Sequence, residues 1–351
     1  MQLSVPIEEW NQLSDIPIMD VRSPGEYTQG HMVDAHSIPL FSNEERAIIG
    51  TLYKQTGREE AMHKALEMVG PHMIGLVEAA KGIAPGKKIK VHCWRGGMRS
   101  SSVAWLLNTM GFQEVFTLQG GYKSYRKWIL SLYEKDYPLL ILGGRTGSAK
   151  TEVLKALKQM NESVIDLEAI AHHKGSAFGW IGESEQPSQE QFENNLGAQL
   201  FSLRNAENFW LEDESISIGK NRIPIQLFEK LRSATVYFLD IPVEIRIPHL
   251  VNTYSAYGDE KLAQSILKIH KRLGGMNTKL ALEGLAKKDY ELVARLALKY
   301  YDKSYEAGIN HRAPNSVVRI HSKTIDPIKN AALILNHKLK NKHGAYQTHT
   351  I

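Results

Sequence analysis

The chain has 351 residues, 42% of them hydrophobic, and a formal net charge of +5, which suggests about two domains with buried cores. No stretch approaches the roughly 18 to 20 consecutive apolar residues of a transmembrane helix, and the N-terminus lacks the features of a secretory signal. The single cysteine, Cys93, excludes an intrachain disulfide and a cysteine zinc cluster. We therefore expect a cytoplasmic protein with no membrane partner.

The first part of the chain alternates short apolar runs with helical patterns, which is typical of α/β units with mostly parallel sheets. Strands are predicted at residues 16–21, 88–92 and 114–118. Helices are predicted at residues 43–69 and 100–110, and after Gly120 and Gly121. These patterns predict a first domain at residues 1–134.

A second α/β series begins with the apolar run at residues 137–142. Further strands are predicted at residues 163–166, 209–211, 234–239 and 316–320. Helices are predicted at residues 150–159, from Gln189 onwards, and over most of residues 242–305. We expect a second domain at residues 135–325 with a helical extension. The segment at residues 326–351 is predicted to end in a partly disordered, polar tail from Lys338.

The first motif surrounds Cys93, which lies between a β-branched strand and a helix in the sequence HCWRGGMRS. Gly96 and Gly97 permit a loop whose backbone N–H groups converge above the sulfur, and the following helix presents its positive N-terminus to the same point. Arg99 can clamp an oxyanion with two hydrogen bonds. Because these features favour a thiolate, Cys93 and Arg99 are predicted to be catalytic. The predicted cradle for a chalcogen or phosphate group is Trp94, Arg95, Gly96, Gly97, Met98 and Ser100.

The spacing of this loop leaves two chemistries open. The pattern C-x5-R from Cys93 to Arg99 is one residue longer than in most sulfur-transferring rhodaneses, and cysteine-dependent phosphatases share it. Upstream, residues 20–31 (DVRSPGEYTQGH) resemble the early rhodanese motif. Asp20 and Arg22 are expected to fix the strand end beside the cysteine loop, and Glu26 to hold that loop through a buried ion pair.

The second motif is the glycine-rich segment GGRTGSAKT at residues 143–151, which follows an apolar strand and opens a helix, as a Walker A motif requires. Lys150 would neutralise a diphosphate and Thr151 would reach Mg²⁺. Ala149 replaces the glycine that normally precedes the lysine. The predicted diphosphate-binding residues are Gly144, Arg145, Thr146, Gly147, Ser148, Ala149, Lys150 and Thr151.

Two acidic residues, Glu212 and Asp213, follow the apolar run at residues 209–211. A Walker B-type carboxylate lies at such a strand end, so both are candidates for a metal ligand or a base. No tightly bound cofactor is expected, although Mg²⁺ would accompany the diphosphate substrate.

In combination these motifs resemble the tRNA 2-selenouridine synthase family over roughly residues 18–305. Other matching segments are residues 50–58 (GTLYKQTGR), 173–179 (HKGSAFG), 186–189 (QPSQ) and 300–302 (YYD). The resemblance implies an α/β protein with an N-terminal rhodanese-like domain and a C-terminal P-loop NTPase-like α/β domain with a helical extension. Lys174 stands where arginine is expected.

The resemblance also implies a function: conversion of wobble 2-thiouridine in tRNA to 2-selenouridine. The sulfur is first geranylated by geranyl diphosphate, and selenium from selenophosphate then replaces the geranylated sulfur. The P-loop would hold the leaving diphosphate, and Cys93 would bind or carry selenium. An anticodon loop exposes unstacked bases, for which Tyr122, Lys123, Arg126 and Trp128 are candidate contacts. A monomer is the favoured assembly.

Two alternative interpretations start from the same residues. One is a cysteine phosphatase joined to a nucleotide-binding domain, which shares the C-x5-R spacing. The other is a non-catalytic module that binds tRNA or carries sulfur. A pure binder needs neither an activated thiol at Cys93 nor a P-loop lysine at Lys150, and the rhodanese-like segment argues against the phosphatase.

Overall fold

The computed structural model describes residues 2–347 and divides the chain into two compact units. The first unit comprises Met1–Leu132 with Glu193–Ala198, and the second comprises Tyr133–Phe192 with Gln199–Ile351. The predicted domain boundary, between residues 134 and 135, lies two residues after the first of these divisions. Within the described residues, no helix is long and apolar enough to cross a membrane.

The first unit contains, within residues 2–347, a parallel sheet of five strands in the order β1-β5-β4-β2-β3. The strands are β1 (Gln2–Val5), β2 (Ile18–Asp20), β3 (Ala35–Ser37), β4 (Lys88–His92) and β5 (Glu114–Leu118). The helices are α1 (Ile7–Gln12), α2 (Pro24–Gln29), α3 (Asn43–Gln55), α4 (Arg58–Val69), α5 (Met73–Ile83), α6 (Met98–Thr109) and α7 (Gly121–Leu132), with a 3₁₀ turn at Gly70–His72.

The middle of this sheet places the cysteine loop. Strand β4 lies between β5 and β2, and its residues Ile89 and Val91 are fully buried in the core that also contains Cys93. A parallel sheet covered on both faces buries both sides of its strands, and in β4 every residue after Lys88 is buried, Lys90 and His92 included. Because β4 ends at His92, Cys93 lies at the carboxyl edge of the sheet, where open α/β folds place their ligand sites.

The second unit contains, within the described part of the chain, a parallel sheet of four strands in the order β11-β10-β6-β7 and an antiparallel pair, β8-β9. The strands are β6 (Leu139–Gly144), β7 (Phe209–Glu212), β8 (Ser217–Ile218), β9 (Asn221–Arg222), β10 (Thr235–Asp240) and β11 (Val317–His321).

The helices of this unit alternate with these strands along the chain, and several of them fall between β10 and β11. They are α8 (Lys150–Gln159), α9 (Leu167–Ala171), α10 (Gln189–Ser202), α11 (Ile225–Ser233), α12 (Val243–Tyr254), α13 (Asp259–Lys268), α14 (His270–Leu273), α15 (Gly275–Ala286), α16 (Tyr290–Asn310) and α17 (Pro327–Gln347), with 3₁₀ turns at Ser255–Tyr257 and Pro314–Ser316. The middle of α10, Glu193–Ala198, is assigned to the first unit. The predicted α/β class and the helical extension after β10 are both confirmed.

One predicted strand is wrong. Residues 163–166 form no strand, and only Val164 makes an isolated bridge with Trp210. The segment stops pairing because Asp166 caps the next helix: its Oδ1 accepts a hydrogen bond from the Ala169 N–H at 2.7 Å. An N-cap aspartate satisfies one of the free N–H groups of the first helical turn.

The predicted disordered tail also needs correction. Helix α17 continues through Gln347, and Ala331 and Ile334 are fully buried in the core of the second unit. Lys338, where fraying was expected to begin, is buried and donates to Glu162 at 2.5 Å and to Asn208 at 2.9 Å. Polar partners therefore hold this turn, and the remainder of the predicted tail, residues 348–351, lies outside the described residues.

Candidate functional site

The cysteine loop joins the end of β4 to the start of α6. The Cys93 side chain is 2% exposed, and its Sγ lies 3.2 Å from Oγ of Ser100, in the first turn of α6. The Ser100 hydroxyl also lies 3.1 Å from the carbonyl oxygen of Gly97. A thiolate at this position would face the positive N-terminal end of a 12-residue helix.

Two glycines allow the loop to close against its neighbour. Gly96 has φ 64° and Gly121 has φ 58°, a backbone region that favours glycine. A Cβ on Gly121 would overlap the Cys93 carbonyl oxygen and the Gly96 nitrogen. Gly97 has φ −101°, which any residue adopts. The predicted need for glycine is therefore confirmed at Gly96 and wrong at Gly97. The same need at Gly121 was not predicted.

The first turn of α7 then fixes the loop through its backbone. The Tyr122 N–H donates to the Cys93 carbonyl, and the Lys123 N–H donates to the Trp94 carbonyl, each at 2.9 Å. The sequence signal for this contact is the pair Gly120-Gly121 itself, since both residues have positive φ.

The ion pair of Asp20 and Arg22 lies beside the cysteine loop, as predicted. Both side chains are fully buried, and Nη2 of Arg22 lies 2.6 Å from Oδ2 of Asp20 and donates to the Gly30 carbonyl at 2.7 Å. The Arg22 guanidinium lies 3.7 Å from the centre of the Tyr122 ring. Because Tyr122 is completely buried under this cation, it supports the loop and is not available to stack on a base, which corrects that prediction.

Glu26 holds the loop through Arg99, which confirms the predicted ion pair. Oε2 of Glu26 accepts from Nη1 of Arg99 at 2.9 Å and from the Ser23 N–H at 3.0 Å. Although burial raises the pKa of Glu26, the hydrogen bond and charge of Arg99 lower it to about 2. Arg99 is therefore engaged by a carboxylate, and its use as an oxyanion clamp stays a prediction. Arg126, the proposed tRNA contact, is likewise paired with Glu193.

In the second unit, the P-loop borders a cavity of about 620 Å³. Six of the predicted diphosphate-binding residues line it: Thr146, Gly147, Ser148, Ala149, Lys150 and Thr151. Gly144 and Arg145 do not, since the Gly144 N–H donates to the Tyr305 hydroxyl and the Arg145 guanidinium is held by Asp240 at 2.5 Å and Glu306 at 2.9 Å. The side chain of Arg145 therefore stabilises the P-loop without lining the cavity.

Cations and carboxylates share the wall of this cavity. Lys155, Lys174 and Arg232 line it together with Lys150, which suits a polyanionic ligand. Lys174, the residue that replaces an expected arginine, pairs with Glu183 at 3.0 Å.

The two predicted acidic residues have different positions. Glu212 does not line the cavity: it is fully buried and accepts from the Leu167 N–H at 3.0 Å. Asp213 lines the cavity, as predicted for a residue near the metal, but is paired with Arg312 at 2.5 Å and with Arg232 at 3.3 Å. Two further carboxylates were not predicted: Glu168 accepts from the Thr151 hydroxyl at 2.8 Å, and Glu214 also lines the cavity.

The carboxylates crowd one another, and this shifts their titration. Burial and the charge of Glu168 raise the pKa of Glu214 to about 8, although Lys150 opposes the shift. Burial, again opposed by Lys150, also raises the pKa of Glu168. Burial, Asp166 and Glu168 raise the pKa of Glu212 well above its ordinary value. With its pKa at about 8, Glu214 retains a proton near neutral pH that a bound cation would displace.

Known proteins match the chain over both units. A family model described as the tRNA 2-selenouridine synthase AAA domain matches residues 137–332, and a rhodanese-like domain model matches residues 5–127. A tRNA 2-selenouridine synthase of Shewanella piezotolerans (strain WP3 / JCM 13877) is 35% identical over 86% of this chain and 91% of its own. This chain belongs to the tRNA 2-selenouridine synthase family. Similar relatives of that name occur in Sulfurovum sp. (strain NBC37-1), 32% identical over 90% of this chain and 94% of its own, and in Serratia proteamaculans (strain 568), 31% identical over 88% and 90%.

The selenouridine synthase segment YYD, at residues 300–302, has a structural role that sequence reasoning missed. Asp302 forms a two-point ion pair with Arg246, at 2.9 and 2.6 Å, and Nη1 of Arg246 also donates to the Thr146 carbonyl at 2.9 Å. Arg246 is 1% exposed. Helices α12 and α16 are thereby fixed to the first residue of the P-loop that lines the cavity.

The departure at Ala149 has a measurable consequence in this family member. Ala149 has φ 57° and ψ 38°, a left-handed conformation that costs an L-residue roughly 1–2 kcal/mol. A glycine at this position would avoid that cost but would destabilise the folded state by roughly 0.4–1 kcal/mol, because glycine has more conformational freedom in the unfolded chain. We expect Ala149→Gly to stabilise the second unit by roughly 0.5–1 kcal/mol, measured as a rise in its urea midpoint.

The control substitution removes the same methyl group from a normal helix. Ala307 is exposed on α16, and Ala307→Gly should destabilise by about 1 kcal/mol because glycine disfavours a helix interior. A lower midpoint for Ala149→Gly would show that the left-handed backbone at this position carries no strain.

Proposed function

We propose that the protein converts 2-thiouridine at the wobble position of tRNA to 2-selenouridine, with a geranylated intermediate. The observation that carries the proposal is the presence, in one chain of the selenouridine synthase family, of a cysteine loop at a helix N-terminus and a P-loop cavity lined by four cations. A phosphatase needs only the first of these sites, and a nucleotide-binding protein only the second.

The first step is prenyl transfer at the P-loop. The thiocarbonyl sulfur attacks C1 of geranyl diphosphate, the C–O bond breaks with its electron pair on the diphosphate, and the N3 proton of the base is released to solvent. Lys150 and the backbone N–H groups of residues 146–151 stabilise the negative charge that accumulates on the leaving diphosphate.

Mg²⁺ would accompany this diphosphate. The Thr151 hydroxyl and the carboxylates of Glu168 and Glu214 are the hard oxygen donors that Mg²⁺ prefers. Within residues 2–347, no group of three or more His, Cys, Asp or Glu residues is arranged to hold a metal ion, so substrate phosphate and water would complete the ligand set. When bound, Mg²⁺ neutralises diphosphate charge.

The second step uses the cysteine loop. Backbone N–H groups and Arg99 hold the phosphate part of selenophosphate, and the Cys93 thiolate attacks its phosphorus, so that an S–P bond forms while the P–Se bond breaks with its electron pair on selenium. Water then hydrolyses the S–P bond to restore Cys93 and release inorganic phosphate. The released selenide, held in the loop, attacks C2 of the geranylated base, and geranylthiolate leaves. Selenium thereby replaces sulfur with no change in oxidation state, and N3 regains its proton.

Nucleoside mass spectrometry tests the proposal directly. Transfer RNA with wobble 2-thiouridine is incubated with the protein, geranyl diphosphate and selenophosphate, and each donor is omitted in turn. We expect S-geranyl-2-thiouridine with the first donor alone, and 2-selenouridine when both are present. Unchanged 2-thiouridine in every reaction, with tRNA bound, would support the carrier module instead, and hydrolysis of generic phosphate esters dependent on Cys93 would support the phosphatase.

A further inference from the structure

A small apolar chamber lies beside the phosphate cavity of the second unit. Its open volume is about 60 Å³, and its walls come from α12, α13, α16 and the segment before α10. Leu250, Leu262, Val293, Ala297 and Leu298 supply much of the surface. The steps proposed at Lys150 and Cys93 assign no role to these apolar walls.

The chamber adjoins the phosphate cavity. Thr146 of the P-loop, Ser176, Leu250, Tyr254 and Tyr301 line both spaces. A ligand whose phosphates rest on the P-loop can therefore extend directly into the chamber without leaving the second unit.

The chamber has few polar groups to offer a ligand. The Tyr301 hydroxyl accepts from the Ala177 N–H at 3.1 Å, and the Tyr290 hydroxyl donates to Asp259 at 2.9 Å, so both hydroxyls already have protein partners. A nucleobase placed here would leave its polar edges unpaired, which is costly in an apolar site. A hydrocarbon chain has no such groups.

Resting on the proposed function, we propose that this chamber binds the terminal isoprene unit of an allylic diphosphate and sets the chain length that the enzyme accepts. At about 15 Å³ for each water-sized group, 60 Å³ has room for roughly four such groups, close to one five-carbon unit. A ten-carbon chain would keep its first unit in the wide cavity and place its second in the chamber. We expect a five-carbon chain to remain in the wide cavity and a fifteen-carbon chain to exceed the chamber.

Helix α16 provides the residues that can test this length limit. Ala294 and Ala297 line the chamber three positions apart, on the same face of the helix. Ala297 is half-buried, so a larger side chain there can occupy the chamber without being forced into a closed core. Ala307, on the same helix, is exposed and lines neither cavity, so Ala307→Leu is the matched control.

Binding to the full-length protein is measured by calorimetry with inorganic pyrophosphate and with dimethylallyl, geranyl and farnesyl diphosphates. Wild type should bind geranyl diphosphate about tenfold or more tightly than pyrophosphate, because the chain buries apolar area. Ala297→Leu should lose this preference for the ten-carbon chain while keeping its pyrophosphate and dimethylallyl diphosphate affinities within about twofold. Ala307→Leu should behave as wild type. Val293→Ala, which enlarges the chamber, should improve binding of farnesyl diphosphate.

The outcomes separate the chamber from the proposed function. Equal affinity of wild type for geranyl diphosphate and pyrophosphate, or an unchanged geranyl preference in Ala297→Leu, would overturn the chamber. Loss of pyrophosphate binding in Ala297→Leu would also contradict it, since the substitution would then act on the P-loop. A chain-length preference that follows these variants without any prenyl transfer to tRNA would support the chamber and refute the geranylation step.

Discussion

Lys150→Ala should lower the rate of S-geranyl-2-thiouridine formation by about 100- to 1000-fold, the usual effect of removing one group that stabilises developing negative charge. Lys150 lines the cavity at the start of α8, where no other residue of the P-loop itself carries a cation into the space. The same variant should replace sulfur by selenium at the normal rate when it is given tRNA that already carries S-geranyl-2-thiouridine. Nucleoside mass spectrometry after single turnovers measures both rates.

The control for this experiment is Lys158→Ala. Lys158 lies on the same helix, is exposed and does not line the cavity, so both rates should match those of wild type. If Lys150→Ala geranylated tRNA normally, the diphosphate would have to bind elsewhere. If it lost the selenium step on pre-geranylated tRNA as well, Lys150 would not be specific to prenyl transfer.

Cys93→Ser should give the opposite result: normal geranylation, and a selenium step slowed by about a thousandfold or more, as when a catalytic nucleophile is removed. S-geranyl-2-thiouridine should therefore accumulate when both donors are present. Serine is close to cysteine in size and can keep the contact with Ser100, which lies 3.2 Å from Sγ. The folded loop is thus retained while the thiolate is lost.

Two further variants serve as controls for the Cys93→Ser result. Ser102→Ala, at an exposed position of α6, should leave both steps unchanged. Cys93→Ala removes the hydrogen-bonding atom as well and should match Cys93→Ser in the selenium step. Selenium incorporation at the wild-type rate in both Cys93 variants would rule out a role for the thiol and leave the loop with phosphate binding alone.

The long, regular elements could be predicted from the sequence because their signals are local. Strands β4 and β5 and helix α8 have the predicted bounds, since β-branched runs or helical periodicity span each of them. Strands β1 and β3 were missed because they have only four and three residues, too few for an alternating pattern. Strand β1 also depends on pairing with β5, more than 100 residues away.

The sites were predicted as far as their contacts are local in sequence. Cys93, the Asp20–Arg22 pair and the P-loop lie in short motifs that carry their own geometry. Glu168 was missed because only the fold brings it to Thr151. Of the two predicted acids, Asp213 lines the cavity and Glu212 does not, and the next residue, Glu214, was missed although it lines the cavity too. An ion pair at Glu26 was predicted, but its partner Arg99 was not, because the two residues are far apart in sequence and only the fold brings them together.

The single, buried cysteine also determines how this enzyme responds to oxidants. A sulfenic acid formed on Cys93 has no second thiol in the chain with which to form a disulfide. No residue of the same chain can therefore prevent its further oxidation to the irreversible sulfinic acid. The low exposure of Sγ is then its main protection, and recovery depends on a small external thiol that can enter the loop. Peroxide should consequently inactivate selenium incorporation while geranylation continues.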